Sequence, residues 1–184
     1  VSLRPVRIRK ASESDVPLIL SFIRKLAEYE RMSHEVASTE ADLRDALFGE
    51  RPVAEALIAD SPGHFPGHFP GHFNDEPVGF ALYFEIYSTF RGRRGIFLED
   101  LFVDPRHRGQ GFGKALLAAV ARLAEERGGW LQWLVLDWNE PAVAFYQRLG
   151  ATRIEQWNSY RLEGDALTNL AVVSAAPFRP ETAL

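Results

Sequence analysis

The chain has 184 residues, 46% hydrophobic and 25% charged, values ordinary for one folded domain with a sizeable core. It contains no cysteine, which excludes disulfide scaffolds, cysteine nucleophiles and thiolate zinc sites, and its net charge of −4 offers no basic field for nucleic acid. The opening VSLRPVRIRK lacks the apolar stretch of a signal peptide, and no apolar run approaches the ~20 residues that span a bilayer. A cytoplasmic protein with no membrane or nucleic-acid partner is expected.

Val6 to Lys10 alternates apolar and basic residues, the period of a short strand. Ser12, with Asp15 as its reciprocal cap, opens a helix whose apolar stripe is Val16, Ile19, Ile23, Leu26 and Ala27 and which fades near Glu30. Thr39 with Asp42 opens a second helix, stopped before Gly49, a natural residue just past a helix end. Val53 to Asp60 and Pro77 to Tyr87 read as strands. Between them PGHF occurs three times, from Pro62 to Phe73. The turn RGRR (Arg91 to Arg94) leads into a strand from Ile96 to Val103 and then a glycine-rich loop. A helix from about Gly113 to Arg127 follows, with Leu116, Leu117, Val120 and Leu123 on its buried face.

Trp130 to Leu136 is almost continuously apolar, the pattern of a strand covered on both faces. Asn139 caps a short helix with Pro141 in its first turn, ending at Gly150. Two short strands are expected around Arg153 to Gln156 and Tyr160 to Glu163, and a loosely held tail after Leu170. This order predicts a mixed α/β fold, one domain over residues 1–170 and a tail over 171–184.

The loop RGQGFG comprises Arg108, Gly109, Gln110, Gly111, Phe112 and Gly113, and Lys114 follows. Its glycines let the backbone turn sharply and bring N–H groups against a ligand. Those donors and the positive end of the next helix suit a pyrophosphate, and Arg106, Arg108 and Lys114 add charge. The Walker pattern fails because Ala115 stands where a hydroxyl residue is required, and the dinucleotide pattern fails because Lys114 stands where its third glycine belongs. A plain flexible connection between strand and helix is the alternative.

The segments LEDLFVDPRHRGQGFGK and VLDWNEPAVAFYQRLGA, with AEYER after the first helix and YSTFRGR before the fourth strand, resemble the Gcn5-related N-acetyltransferases. Within that superfamily they look like the diamine branch of spermidine/spermine and thialysine-type enzymes. The likeness runs from about Val6 to Leu162, and YST and VLDWN look closer to the thialysine type. It implies an α+β domain with a mixed, mostly antiparallel twisted sheet flanked by helices, acetyl-CoA as cosubstrate and a homodimer.

The resemblance also implies roles for particular residues. Arg108, Gly111 and Gly113 match the loop that cradles the coenzyme A pyrophosphate, with Gly109 adding slack. The backbone of Leu101, Phe102 and Val103 would run beside the pantetheine arm and polarise the acetyl carbonyl. An alkylamine of pKa near ~10 is protonated at neutral pH, so a proton must be removed before attack and another supplied to the departing thiolate. Glu99 and Asp100 are neighbours on a strand and should point to opposite faces. Glu99 is the candidate base, through a water, or else an electrostatic partner of the amine. Asp100 holds a second amine or anchors the site. Tyr146 is the candidate general acid, its alternative being a packed core tyrosine. Asn139 caps its helix and bonds the pantetheine.

Tyr29 and Glu30 match substrate-side residues, with Trp138 facing an ammonium. Ser88 and Phe90 replace the acidic and aromatic pair of the spermidine type, and an acid near Asn158 is missing, which favours a shorter, lysine-like amine over long polyamines. Arg91, Arg93 and Arg94 meet a phosphate or a carboxylate, or form a solvated turn. An enzyme acting on protein lysines or N-termini, and a non-catalytic acetyl-CoA-binding module, are the competing readings. Proline and glycine at every fourth residue forbid the helix that would bring His64, His68 and His72 together, so no metal is expected and the repeat reads as an expanded hairpin loop.

Overall fold

The structure is a computed structural model that describes residues 6–62 and 75–172. The chain divides into two compact units, Val1–Asn139 and Glu140–Leu184. In the first, β1 (Arg7–Lys10), α1 (Val16–Tyr29), α2 (Glu40–Phe48), β2 (Glu55–Ser61), β3 (Glu76–Ser88), β4 (Arg93–Val103), α3 (Phe112–Glu126) and β5 (Leu131–Trp133) follow in order. The second holds α4 (Glu140–Arg148) and α5 (Gly164–Ala171).

The first helix opens as the sequence predicts, through one turn of 3₁₀ helix over Glu13–Asp15. Ser12 donates its N–H and its hydroxyl to the Asp15 carboxylate at 2.8 and 2.7 Å. Arg9 on β1 forks onto the same carboxylate at 2.7 and 2.8 Å and reaches Asp60 on β2 at 2.9 Å. These bonds, the Arg9 fork above all, hold Asp15 well below the usual carboxylate range. They tie the start of α1 to two strands. At α2, the Asp42 carboxylate accepts the Thr39 N–H at 2.8 Å in the reciprocal arrangement. The helix ends before Gly49 as predicted, and that glycine stands in extended backbone, φ −67° and ψ −177°.

The sheet runs β1-β2-β3-β4-β5, antiparallel up to β4 and parallel between β4 and β5, with α3 as the crossover. One face meets α1 and α2. Phe22 of α1 lies against Phe80 and Phe102, with ring centroids 5.7 and 5.6 Å away, and Ile19, Leu43, Ile58 and Leu82 complete that core. The alternate residues Leu57, Ala59, Ala81 and Tyr83 are equally buried on the other face, where Leu116 and Val120 of α3 pack.

Two expectations need correction. β5 spans three residues, all half-buried, and Leu134 beyond it is 69% exposed. It is an edge strand with one ladder, not a strand covered on both faces. In the second unit, residues 151–163 form no strand. Ile154, Trp157 and Tyr160 are exposed there, and a short β-forming segment becomes a strand only where a ladder and a packed face stabilise it. Between Glu163 and Leu170, where no element is predicted, α5 forms from Gly164, with Thr168 Oγ1 donating to the Gly164 carbonyl at 3.2 Å.

Candidate active site

The far end of β4 carries most of the predicted site. Leu82 pairs with Asp100 but Tyr83 pairs with Leu98, so Glu99 is the extra residue of a β-bulge. The simple alternation expected for Glu99 and Asp100 therefore fails. Register with Leu82 puts Asp100 on the α1 face, beside Phe102, while Glu99 is exposed on the bulge. Asp100 is pushed up to about 7, first by burial and then by the negative charges of Glu99 and Glu30. Glu30, which follows the last turn of α1, is raised by its own burial. Asp100 thus lies near the carboxylates of Glu99 and Glu30, and no cation is among the influences on it. β5 pairs with β4 only at Ile96, Phe97 and Leu98. From the bulge onward, through Leu101 to Val103, the β5-side edge of β4 has no strand partner among the described residues.

The glycine-rich loop leaves the same end of β4. Gly109 and Gly111 have φ of 76° and 93°, and a Cβ at either would meet nothing within 4 Å. The left-handed backbone demands glycine here and leaves open space over the loop. The first bond of α3 is from the Ala115 N–H to the Gly111 carbonyl at 2.9 Å, so the amides of Phe112, Gly113 and Lys114 precede the helical ladder. The Phe112 side chain is buried, against the edge of His107, and can serve a ligand only through its backbone. Gln110 donates from Nε2 to the Arg106 carbonyl at 3.3 Å, and Lys114 is exposed. Arg106, expected to add charge beside the loop, is turned onto Asp104 at 3.0 and 3.1 Å. These contacts, led by the Arg106 hydrogen bonds, hold Asp104 well below the usual range, and Lys25 of α1 adds a 3.4 Å bond.

Arg108 joins the loop to α1. Its Nε donates to the Val103 carbonyl at 3.1 Å, and its guanidinium lies 4.7 Å from the Tyr29 ring. Tyr29 donates its hydroxyl to Asn139 Oδ1 at 3.0 Å and meets the Trp138 ring at 6.0 Å. Asn139 is buried and stands immediately before α4. Tyr29, Glu30, Glu99, Asp100, Leu101–Val103, the loop, Trp138 and Asn139 are therefore one neighbourhood of the first unit. The Trp138 face expected to receive a ligand ammonium carries the Arg31 guanidinium, 5.3 Å from its centroid.

Ser88 stands apart. It closes the β3–β4 hairpin, its Oγ accepting the Arg91 N–H at 3.2 Å, and lies roughly 20 Å along β3 from Leu82 at about 3.3 Å per residue. The arginines of that turn are engaged nearby, Arg91 over Trp130 at 5.1 Å and Arg94 on Glu85 at 3.1 Å. Tyr146 belongs to the second unit, on the last turns of α4, where its carbonyl accepts the Leu149 and Ala151 N–H groups at 3.0 and 3.1 Å. His64, His68 and His72 lie outside the described residues. Among the described residues no three His, Asp or Glu side chains form a metal-ligand group, and no helix is long and apolar enough to cross a membrane.

Sequence reading missed Arg31, Lys25 and Asp104. A signal existed for Arg31, because the α1 stripe ends at Glu30 with no glycine after it. None existed for the Lys25–Asp104 contact, which joins distant parts of the chain.

Comparison with known proteins is consistent with this architecture. The "Acetyltransferase (GNAT) family" model matches residues 25–151. The chain is 43% identical over 173 residues to a thialysine N-epsilon-acetyltransferase of Sus scrofa, covering 90% of this chain and 97% of that protein. It is 36% identical to an L-ornithine N5-acetyltransferase of Arabidopsis thaliana, covering 88% and 86%. Among solved structures, an integron cassette protein from the mobile metagenome of V. cholerae superposes with a TM-score of 0.70 at 25% identity, covering 91% and 98%.

Proposed function

Because the chain belongs to the acetyltransferase (GNAT) family and is an N-acetyltransferase, we propose that it moves an acetyl group from acetyl-CoA to a primary amine of a small cationic substrate. A thialysine- or lysine-like amine or a di- or polyamine is the class. One observation carries the reading: the open edge of β4, the glycine-rich loop and the carboxylates Glu30, Glu99 and Asp100 all lie at the same end of β4. The relatives named for thialysine and ornithine acetylation support the small amine.

Acetyl-CoA supplies an activated thioester, with phosphates for a positively polarised cradle. The residues at hand fit such a group: left-handed Gly109 and Gly111, the unbonded first-turn amides of α3, and the exposed Lys114. The amide groups of Leu101 to Val103 would accept an extended arm as a further strand. Acid-lined ground next to Asp100 draws the ammonium in. Its proton passes to Glu99 or Asp100, directly or through water, before nitrogen attacks the thioester carbon. The C–N bond forms as the C–S bond breaks, the departing thiolate takes a proton from the Tyr146 phenol, a role that rests on the family resemblance, and the second proton leaving the acylated nitrogen restores that phenol. A homodimer in the cytoplasm accompanies this reading, on the strength of the family resemblance.

The test is thiol release from acetyl-CoA across thialysine, lysine, ornithine, spermidine, putrescine and a histone-tail peptide. Turnover on the small amines is expected, with Tyr146→Phe losing roughly 100-fold or more while still binding acetyl-CoA. Turnover confined to the peptide, or none at all, would overturn the reading.

A further inference from the structure

Arg31 has φ of 62° and is, among the described residues, the one non-glycine with positive φ. It occupies the residue after the C-cap of α1. The Met32 N–H bonds to the Ala27 carbonyl at 2.8 Å and the Arg31 N–H to the Glu28 carbonyl at 3.1 Å, the paired bonds of a helix end that ordinarily takes glycine. Left-handed backbone is less favourable for a long side chain than for glycine. The helix dipole does not require that expense, since a cation anywhere in the last turn would answer it.

The side chain has a definite position all the same. Its guanidinium lies over the Trp138 ring, it is exposed, and it makes no ion pair among the described residues. Every other charged group assigned to the amine side is acidic: Glu30, its immediate neighbour, with Glu99 and Asp100. Glu30 and Arg31 therefore present opposite charges side by side, the complement of an α-ammonium next to an α-carboxylate. Because Trp138 already carries a cation of the protein itself, the ligand group suited to this corner is an anion.

We infer that Arg31 is a specificity-determining residue that binds the α-carboxylate of a dibasic amino acid and so favours amino acids over the corresponding diamines. The inference rests on the small-amine reading above and narrows its substrate class. A guanidinium suits the task because its planar donors match both oxygens of a carboxylate, and stacking on Trp138 fixes its plane.

The test compares lysine with cadaverine and ornithine with putrescine, each pair differing by the carboxylate. In Arg31→Gly the ratio of kcat/KM for lysine over cadaverine should fall roughly 10- to 100-fold, carried by the KM of lysine. Arg31→Lys should keep part of the preference. The melting temperature of Arg31→Gly should equal or exceed the unsubstituted protein's, because glycine relieves the left-handed position, so a folding defect cannot imitate the result. Equal losses on both members of a pair, or an unmoved ratio, would overturn the role of Arg31 and leave the small-amine reading standing. Failure of the unsubstituted protein to acetylate any of the four amines would overturn both.

Discussion

Two clusters of charge sit on this sheet, and they are built on opposite terms. Near the α3 face, Arg127 bonds Glu55 at 2.7 Å and Glu85 at 3.2 Å, Arg94 bonds Glu85 at 3.1 Å, and the buried Tyr83 donates its hydroxyl to Glu55 at 3.3 Å. Each carboxylate there has a cation, and burial holds the Tyr83 phenol in its neutral form. Near the α1 face, burial and the negative charges of Glu99 and Glu30 both push Asp100 up, and burial raises Glu30 as well. The balanced set fastens β2, β3 and the end of α3 together. The unbalanced set concentrates negative charge where the proposed function would receive the substrate ammonium.

Exchanging one group in each set sharpens the contrast. Asp100→Asn should have the largest effect, lowering kcat/KM for the amine roughly 30-fold or more, as loss of a buried charge partner does. The same variant should be more stable than the parent at pH 8. A carboxylate raised to about 7 binds its proton more tightly folded than unfolded, so its contribution is present below about pH 4 and is lost as pH rises through 7. The asparagine variant should therefore gain roughly 2–4 kcal/mol by denaturant unfolding at pH 8 and little at pH 4. A stability loss at both would mean that Asp100 is a structural anchor.

Next in size, Arg127→Met should lose about 1–3 kcal/mol by leaving Glu55 and Glu85 without their shared cation, with kcat/KM within twofold. A large loss of activity there would erase the distinction between the two clusters. The smallest effect belongs to Arg94→Gln, which removes an exposed pair and should change stability by no more than about 0.5 kcal/mol.

What the sequence made legible depended on distance along the chain. Both helix caps, the amphipathic stripe of α1 and the turn-rich loop before α3 are written in residues a few positions apart, and each formed where expected. The bulge at Glu99 was hidden, because register belongs to two strands and adjacent acids in one of them do not reveal it. The position of Asn139 before Pro141 marks it as a cap. Its bond with Tyr29 joins residues far apart in sequence and could not be seen in advance. The apolar run after Trp130 overstated β5, since hydrophobicity alone does not supply a second neighbouring strand. The stretch 151–163 erred the same way, where β-forming side chains without a paired edge stayed irregular.

Tyr29 deserves separate treatment in any kinetic study. Its ring bears the Arg108 guanidinium of the loop and lies tilted against Trp138, while its hydroxyl donates to Asn139. If the loop holds the cosubstrate and this corner the amine, as proposed above, a substitution at Tyr29 should move both Michaelis constants together. Whatever free energy links the two ligands through this ring acts equally in both directions. Order-of-addition experiments and double-mutant cycles with Arg108 and Asn139 are the means of measuring that link.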